Sequence, residues 1–198
     1  MTELLFSLIV FAVVATVTPG GANLLAAASG ARFGWQRSLP LLTGIAIGLA
    51  LLVAATAAGL AALLQSAPAL QLAMRIAGSA YLVWLAWRIG RSGAPDIASG
   101  SSVSPSGFLA GLVLPFLNPK AWSMALAAAA AYAGLTVDPL RLALLLAAAF
   151  GLAALPALSL WCAGGSLLAR TLRTEPQWRA VNATLGLLLA ASIVPMWL

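Results

Sequence analysis

Six stretches of this chain, residues 4–28, 39–64, 70–89, 108–133, 140–167 and 181–198, are apolar almost throughout. Each meets the length of about 20 residues that a helix needs to cross the hydrocarbon of a bilayer. Nothing in that hydrocarbon replaces water as a hydrogen-bond partner, so a spanning backbone must pair within itself, and runs of this length do so as α-helices. With 63% hydrophobic and 7% charged residues and a mean hydropathy of +1.04, there is too little polar surface to cover such segments in water. The sequence predicts an all-α integral membrane protein of six transmembrane helices, a single membrane domain over residues 1–198. The start, Met1 to Ala15, has no positive leader and carries Glu3, and reads as a retained first span rather than a signal peptide.

Residues 90–106, rich in Ser, Gly and Pro and containing Asp96, separate the third stretch from the fourth. That composition buries little and reads as a flexible linker. It divides the chain into half-repeats 1–89 and 107–198 of three spans each. An odd number of crossings makes the second half enter from the opposite side, so two halves of like fold form a 3+3 inverted repeat. Gly34 answers Gly134 and Gly78 answers Gly186 across the halves. Arg32, Arg37, Arg88, Arg91, Arg170, Arg173 and Arg179 fall on one side, against Arg75 and Arg141 on the other. The positive side faces the cytoplasm, which puts the linker inside and both termini in the periplasm or outside the cell. Trp35, Trp84, Trp87, Trp161, Trp178 and Trp197 lie near segment ends, where interfacial aromatics belong; Trp122 does not.

Within the first and fourth stretches stand Thr18-Pro19-Gly20 and Asn118-Pro119-Lys120. Helices 1 and 4 are therefore expected to be proline-broken. Such breaks survive in membranes where they line a protein cavity, and matched breaks in two halves mark transporter sites. Thr and Asn are N-cap residues and proline suits the first helical position, so each motif predicts the start of a half-helix. About 11 to 14 residues precede each start in its span, which places both near the bilayer centre. Two helix N-termini facing each other there offer N–H groups and partial positive charge to an anion such as a carboxylate. Gly20 and Gly21 allow close approach to the main chain, and Asn23 offers both a donor and an acceptor.

Lys120 is the ionisable residue set deep in a span, an expensive position that calls for a polar cavity. It either pairs with a substrate carboxylate or carries a proton through the cycle. The bland readings are a simple kink repaired by neighbours for each proline, and a Lys120 that snorkels to an interface. Trp122 either lines the cavity or fills space against lipid. Gly44 with Gly48 reads as helix packing, and Cys162 as a small apolar filler.

In this order the motifs resemble the LysE/RhtB family of bacterial amino-acid exporters, over nearly the whole chain. The likeness rests on Thr18-Pro19-Gly20 with Asn23; on Gly30, Arg32, Phe33 and Gly34; on Gly44 with Gly48 and Gly78 with Tyr81-Leu82; and on Asn118-Pro119-Lys120-Ala121. Trp161, Arg179, Asn182 and Gly186 fit the closing third. The resemblance implies a six-span inner-membrane exporter of amino acids or close derivatives, driven by the proton gradient and needing no cofactor. Thr18, Pro19, Gly20, Asn23, Asn118, Pro119 and Lys120 would line or shape its pathway. Gly21 and Ala22 stand where family members often carry a proline and an asparagine, which implies a looser break and an altered substrate preference.

The other functions fare worse. Ten Lys and Arg, scattered singly, make no nucleic-acid surface. No histidine and one cysteine leave a metal or small-cation exporter of related fold without soft ligands, and hard cations lack clustered carboxylates. An intramembrane enzyme lacks a nucleophile and base. A non-transporting assembly subunit would differ by moving no solute. The expected partners are an amino acid and the lipid bilayer, and the many small residues allow a homodimer. Glu3, Asp96, Asp138 and Glu175 all lie at span ends or in loops, so exchanged protons fall to Lys120, the substrate amine or an end carboxylate.

Overall fold

Asn118, Asp138 and Thr174 each open a helix with their own side chain, and each helix has proline in its first turn. The Asp138 carboxylate accepts from the N–H groups of Leu140 and Arg141, and Thr174 forms a reciprocal capping box with Gln177. These local signals set where helices begin in the second half of the chain. The computed structural model describes residues 2–60, 68–94 and 106–194. Among the described residues the helices are α1 (Thr2–Val17), α2 (Gly21–Ala55), α3 (Pro68–Gly90), α4 (Phe108–Leu117), α5 (Pro119–Ala131), α6 (Pro139–Thr171) and α7 (Glu175–Ala191), with no strand. A π turn, Thr56–Leu60, extends α2, and a 3₁₀ turn, Ala133–Leu135, follows α5.

Gly34 is the joint of α2. Its φ of +78° is a left-handed conformation that side chains resist and glycine accepts. The joint divides α2 into a first arm, Gly21–Phe33, and a second arm, Trp35–Gly59. In the second half Gly134 falls within the 3₁₀ turn between α5 and α6. The element order is thus alike in the two halves: a helix, a break, a second helix, a glycine-bearing joint, a long helix and a last helix.

Packing is governed by small residues. The first arm of α2 lies on α6, where a side chain at Gly30 would strike the Cys162 carbonyl at 2.0 Å and one at Gly165 would strike the Ala27 carbonyl at 2.0 Å. The second arm lies on α4, where Gly44, Gly48 and Gly111 bring the two backbones together. Helix packing is therefore the role of Gly44 and Gly48, as expected from their spacing. Helix α3 pairs with α7, and α1 leans on α6. Phe11 joins α1 to this core, its ring 6.0 Å from those of both Tyr132 and Phe150, while Cys162 is buried filler.

The outward faces are apolar. Phe6, Leu152, Leu160 and Leu187 are 69%, 77%, 64% and 72% exposed, a surface suited to acyl chains rather than water. Among the described residues, Trp35–Gly59 and Pro139–Thr171 are long and apolar enough to cross a membrane. Thr2–Val17 with Gly21–Phe33, bent by 55° at the first break, together make a third such segment. Asn118 leaves α4 and α5 as pieces of 10 and 13 residues, and α7 has 17. The end of the expected second span, the close of the sixth, Trp197, Asp96 and most of the linker lie outside the described residues.

The start of the linker departs from expectation. Helix α3 continues through Gly90, and the next residues are tied down: Asn182 Nδ2 donates to the Ser92 carbonyl at 2.7 Å, and the Ala94 N–H donates to Glu175 Oε2 at 3.0 Å. Side chains of α7 supply the order that the Ser/Gly composition lacks.

Candidate functional site

The two proline motifs meet at one place. The Lys120 ammonium, from the first turn of α5, donates to the carbonyl of Thr18 and, at 3.4 Å, to that of Pro19. Asn23, on the first arm of α2, turns its amide back onto the same segment and donates to the carbonyls of Thr16 and Thr18, both at 2.8 Å. Trp161, well inside α6, donates its indole N–H to the Val17 carbonyl at 2.9 Å. The last carbonyls of α1, which a helix C-terminus always leaves without partners, are thus served by side chains from α2, α5 and α6.

A cavity of 40 Å³ opens beside them. Gly20, Asn23, Asn118 and Lys120 line it, with Thr16, Pro115, Met124 and the small side chains of Ala15, Ala22, Ala121 and Ala154. Gly20 is required for close approach: a Cβ there would lie 2.7 Å from Lys120 Cδ. Both donors of Asn23 point at carbonyls, so its Oδ1 is the atom left to accept from a ligand.

The first break is not built as the sequence suggests. Thr18 is expected as an N-cap with Pro19 in the first turn, but α2 begins at Gly21, its N-cap is Gly20, and no side chain caps it. The Thr18 hydroxyl instead donates backwards to the Val14 carbonyl at 2.6 Å, a bond within its own helix that competes with capping the next. The first N–H groups of α2 therefore lack a capping side chain beside the cavity.

The second break follows the rule. Asn118 is the N-cap, its Oδ1 accepts from the Lys120 N–H at 3.1 Å, and its carbonyl accepts from the N–H groups of Ala121 and Trp122 at 3.0 and 3.3 Å. With Pro119 lacking an N–H, the start of α5 is already satisfied. The helix start without a side-chain cap is that of α2, whereas α5 is capped by Asn118.

Two further residues sit elsewhere than the cavity. Gly21 faces Leu82 and Leu189, each 3.2 Å from where its Cβ would stand. Trp122 is half-buried against the core, its indole N–H donating to the Phe116 carbonyl at 2.8 Å. Thr18 and Pro19 are exposed and enter through their carbonyls, and Pro119 only positions Lys120. Sequence reading took Trp161 as an interfacial aromatic without its bond to Val17, and passed over Thr16 and Pro115. Thr16 looks like any helical threonine, and Trp161 is 144 residues from its partner, so no local pattern connects them.

Broken apolar helices surround a small cavity where Lys120, Asn23 and Asn118 meet small apolar side chains, and among the described residues no cluster of metal-binding side chains is present. The LysE type translocator signature matches residues 13–192, and the chain belongs to that family. It is 36% identical over 122 residues to a cysteine/O-acetylserine efflux protein of Klebsiella pneumoniae, a match that covers 61% of each chain. It is 35% identical over 122 residues to the protein of the same name from Shigella flexneri, again 61% of each. Its match to that of Escherichia coli strain K12 is 35% identical over 111 residues, 56% of this chain and 55% of the relative. The chain thus matches about three fifths of these relatives' length. No solved structure matches it.

Proposed function

We propose that this protein is a secondary active exporter of small amino acids or close derivatives across the bacterial inner membrane, working by alternating access around the cavity at the breaks. The observation that carries the reading is the convergence of Lys120 and Asn23 on the carbonyls freed at the end of α1, beside the uncapped start of α2. A zwitterion needs both signs of partner in one place. Its ammonium group would take over the Thr18 and Pro19 carbonyls with Asn23 Oδ1. Its carboxylate would then receive the first N–H groups of α2 and the displaced Lys120. Lys120 is therefore a swinging group: it neutralises the carbonyls when no substrate ammonium does so, and binds the carboxylate when one arrives.

The relatives' names favour cysteine and O-acetylserine as first substrates, and the alanine walls and small volume favour short side chains. Six spans arranged as a 3+3 inverted repeat, with the linker in the cytoplasm and both termini outside, accord with the like order of elements in the two halves and with the arginine bias. Coupling to the proton gradient would run through Lys120 or the substrate amine, since Glu3, Asp138 and Glu175 stand at helix ends.

The deciding experiment is counterflow of labelled cysteine and O-acetylserine in proteoliposomes at several pH values. Saturable exchange that disappears in Lys120→Ala, with the variant still inserted, supports the reading. Wild-type vesicles that exchange neither solute, nor any other small amino acid, reject it.

A further inference from the structure

A second chamber of 100 Å³ lies between the first arm of α2, the end of α3 and the start of α7. Its polar lining is Ser29, Arg32, Arg88, Ser92, Ser106 and Asn182, with Trp178 as a wall. We infer that this chamber is a second anion site, which takes the carboxylate of a small amino acid before the solute reaches the cavity at the breaks; the inference rests on the export reading above.

Charge carries the argument. Arg32 and Arg88 come from different helices to one recess, and among the described residues neither has a carboxylate partner. Among the described residues the ion pair is Arg179 with Glu175, at 3.1 Å and outside the chamber lining, and Glu175 is further held by the Ala94 N–H. Each free guanidinium lies against a ring, Arg32 at 5.6 Å from Phe33 and Arg88 at 5.4 Å from Trp84. Stacking uses the flat face of a guanidinium and leaves the N–H edge, the part that grips a carboxylate, available. Both arginines are exposed, and two like charges at one recess give a positive potential that raises the local concentration of anions. A topogenic role asks only that arginines lie on one side of the membrane; it does not ask two of them to line one cavity.

The remaining groups suit the rest of a zwitterion. Asn182 is 6% exposed, and its amide nitrogen serves the Ser92 and Gly93 carbonyls, which leaves Oδ1 to accept from an ammonium group. The chamber also lies in line with the first cavity. On the first arm of α2, Leu25 lines the chamber and Ala22 the cavity; on the second arm, Leu41 lines the chamber and Ile45 the cavity. On α2 the residues that line the two spaces are thus about one helical turn apart.

The test uses nanodiscs of zwitterionic lipid and equilibrium binding of labelled cysteine, with cysteamine, which lacks the carboxylate, as competitor. The Lys120→Ala protein is expected to keep a saturable cysteine site that cysteamine does not compete for. Adding Arg32→Gln and Arg88→Gln should weaken that site about tenfold or more, while the Arg32→Lys, Arg88→Lys pair, which keeps the charge but loses the fork, should recover only part of it. In proteoliposomes the Gln pair should raise the half-saturating cysteine concentration about fivefold or more on the arginine-bearing face and leave the opposite face unchanged. Equal effects on both faces, equal binding of cysteine and cysteamine, or a site that only anionic lipid fills would overturn the inference. If wild-type protein exchanges no amino acid yet binds cysteine through Arg32 and Arg88, the export reading falls and the anion site stands.

Discussion

The break after α1 takes three residues and borrows its hydrogen-bond partners from α2, α5 and α6, whereas the break after α4 takes one residue and closes on its own cap. The carbonyls of Val17, Thr18 and Pro19 are served by side chains of other helices, Trp161, Asn23 and Lys120. Asn118 serves its helix start within four residues. A self-capped break is a fixed hinge that holds the next helical turn, and with it Lys120, in place. A break served by distant side chains can exchange those partners for a ligand at little net loss of hydrogen bonds. The fixed break therefore acts as the platform and the borrowed one as the exchangeable site.

The largest test of that contrast is Lys120→Ala, expected to lower cysteine exchange in proteoliposomes more than about a hundredfold by removing the charged partner of the carboxylate. Survival of exchange above a tenth of wild type would take Lys120 out of the pathway. Next comes Asn23→Ala, which strips the Thr16 and Thr18 carbonyls of a buried donor and should cost about 2 kcal/mol in thermal unfolding in detergent. Asn118→Ala removes a local cap, with an expected loss of about 1 kcal/mol; if it costs more than Asn23→Ala, the ranking of the two breaks is reversed. Trp161→Phe keeps the packing and loses one bond to Val17, so about 1 kcal/mol is expected, with cysteine KM changed more than insertion level.

The smallest effect belongs to the tether beyond the sites. The Ala94 N–H and then Arg179 hold the Glu175 carboxyl below its ordinary value. A carboxyl whose folded pKa is depressed adds stability above its unfolded value, and that stability is lost as the pH falls through the folded one. The protection of the Ala94 amide against exchange, relative to an unstructured amide at the same pH, should therefore fall in acid, and Glu175→Gln should give the lower protection at neutral pH without altering cysteine binding to the Lys120→Ala protein. A neutral-pH rate equal to wild type would show that Asn182 alone holds the linker start.

Much of this molecule is legible in one dimension because membrane helices are specified by length, hydropathy and local caps. Asn118, Asp138 and Thr174 announce helix starts through contacts two or three residues away, and Gly44 and Gly48 announce a close helix contact by their spacing. Thr18 misled because a threonine hydroxyl can serve the helix behind it as well as the one ahead, and only the trajectory of the chain chooses. The bond of Trp161 to Val17 was not legible because a tryptophan that reaches a broken helix is the same letter as any other.

The sequence by itself determined that the chain is helical and lipid-facing, where its proline motifs stand, and that Lys120 has to find a polar setting. Tertiary structure decided what that setting is: the carbonyl end of α1 rather than a pair of open N-termini, and a recess that gathers Arg32 and Arg88. The physical reason is range. Hydropathy and capping act over one or two turns, whereas partners for freed carbonyls and unpaired guanidiniums are supplied by whichever distant helix the packing of glycine and alanine faces brings alongside.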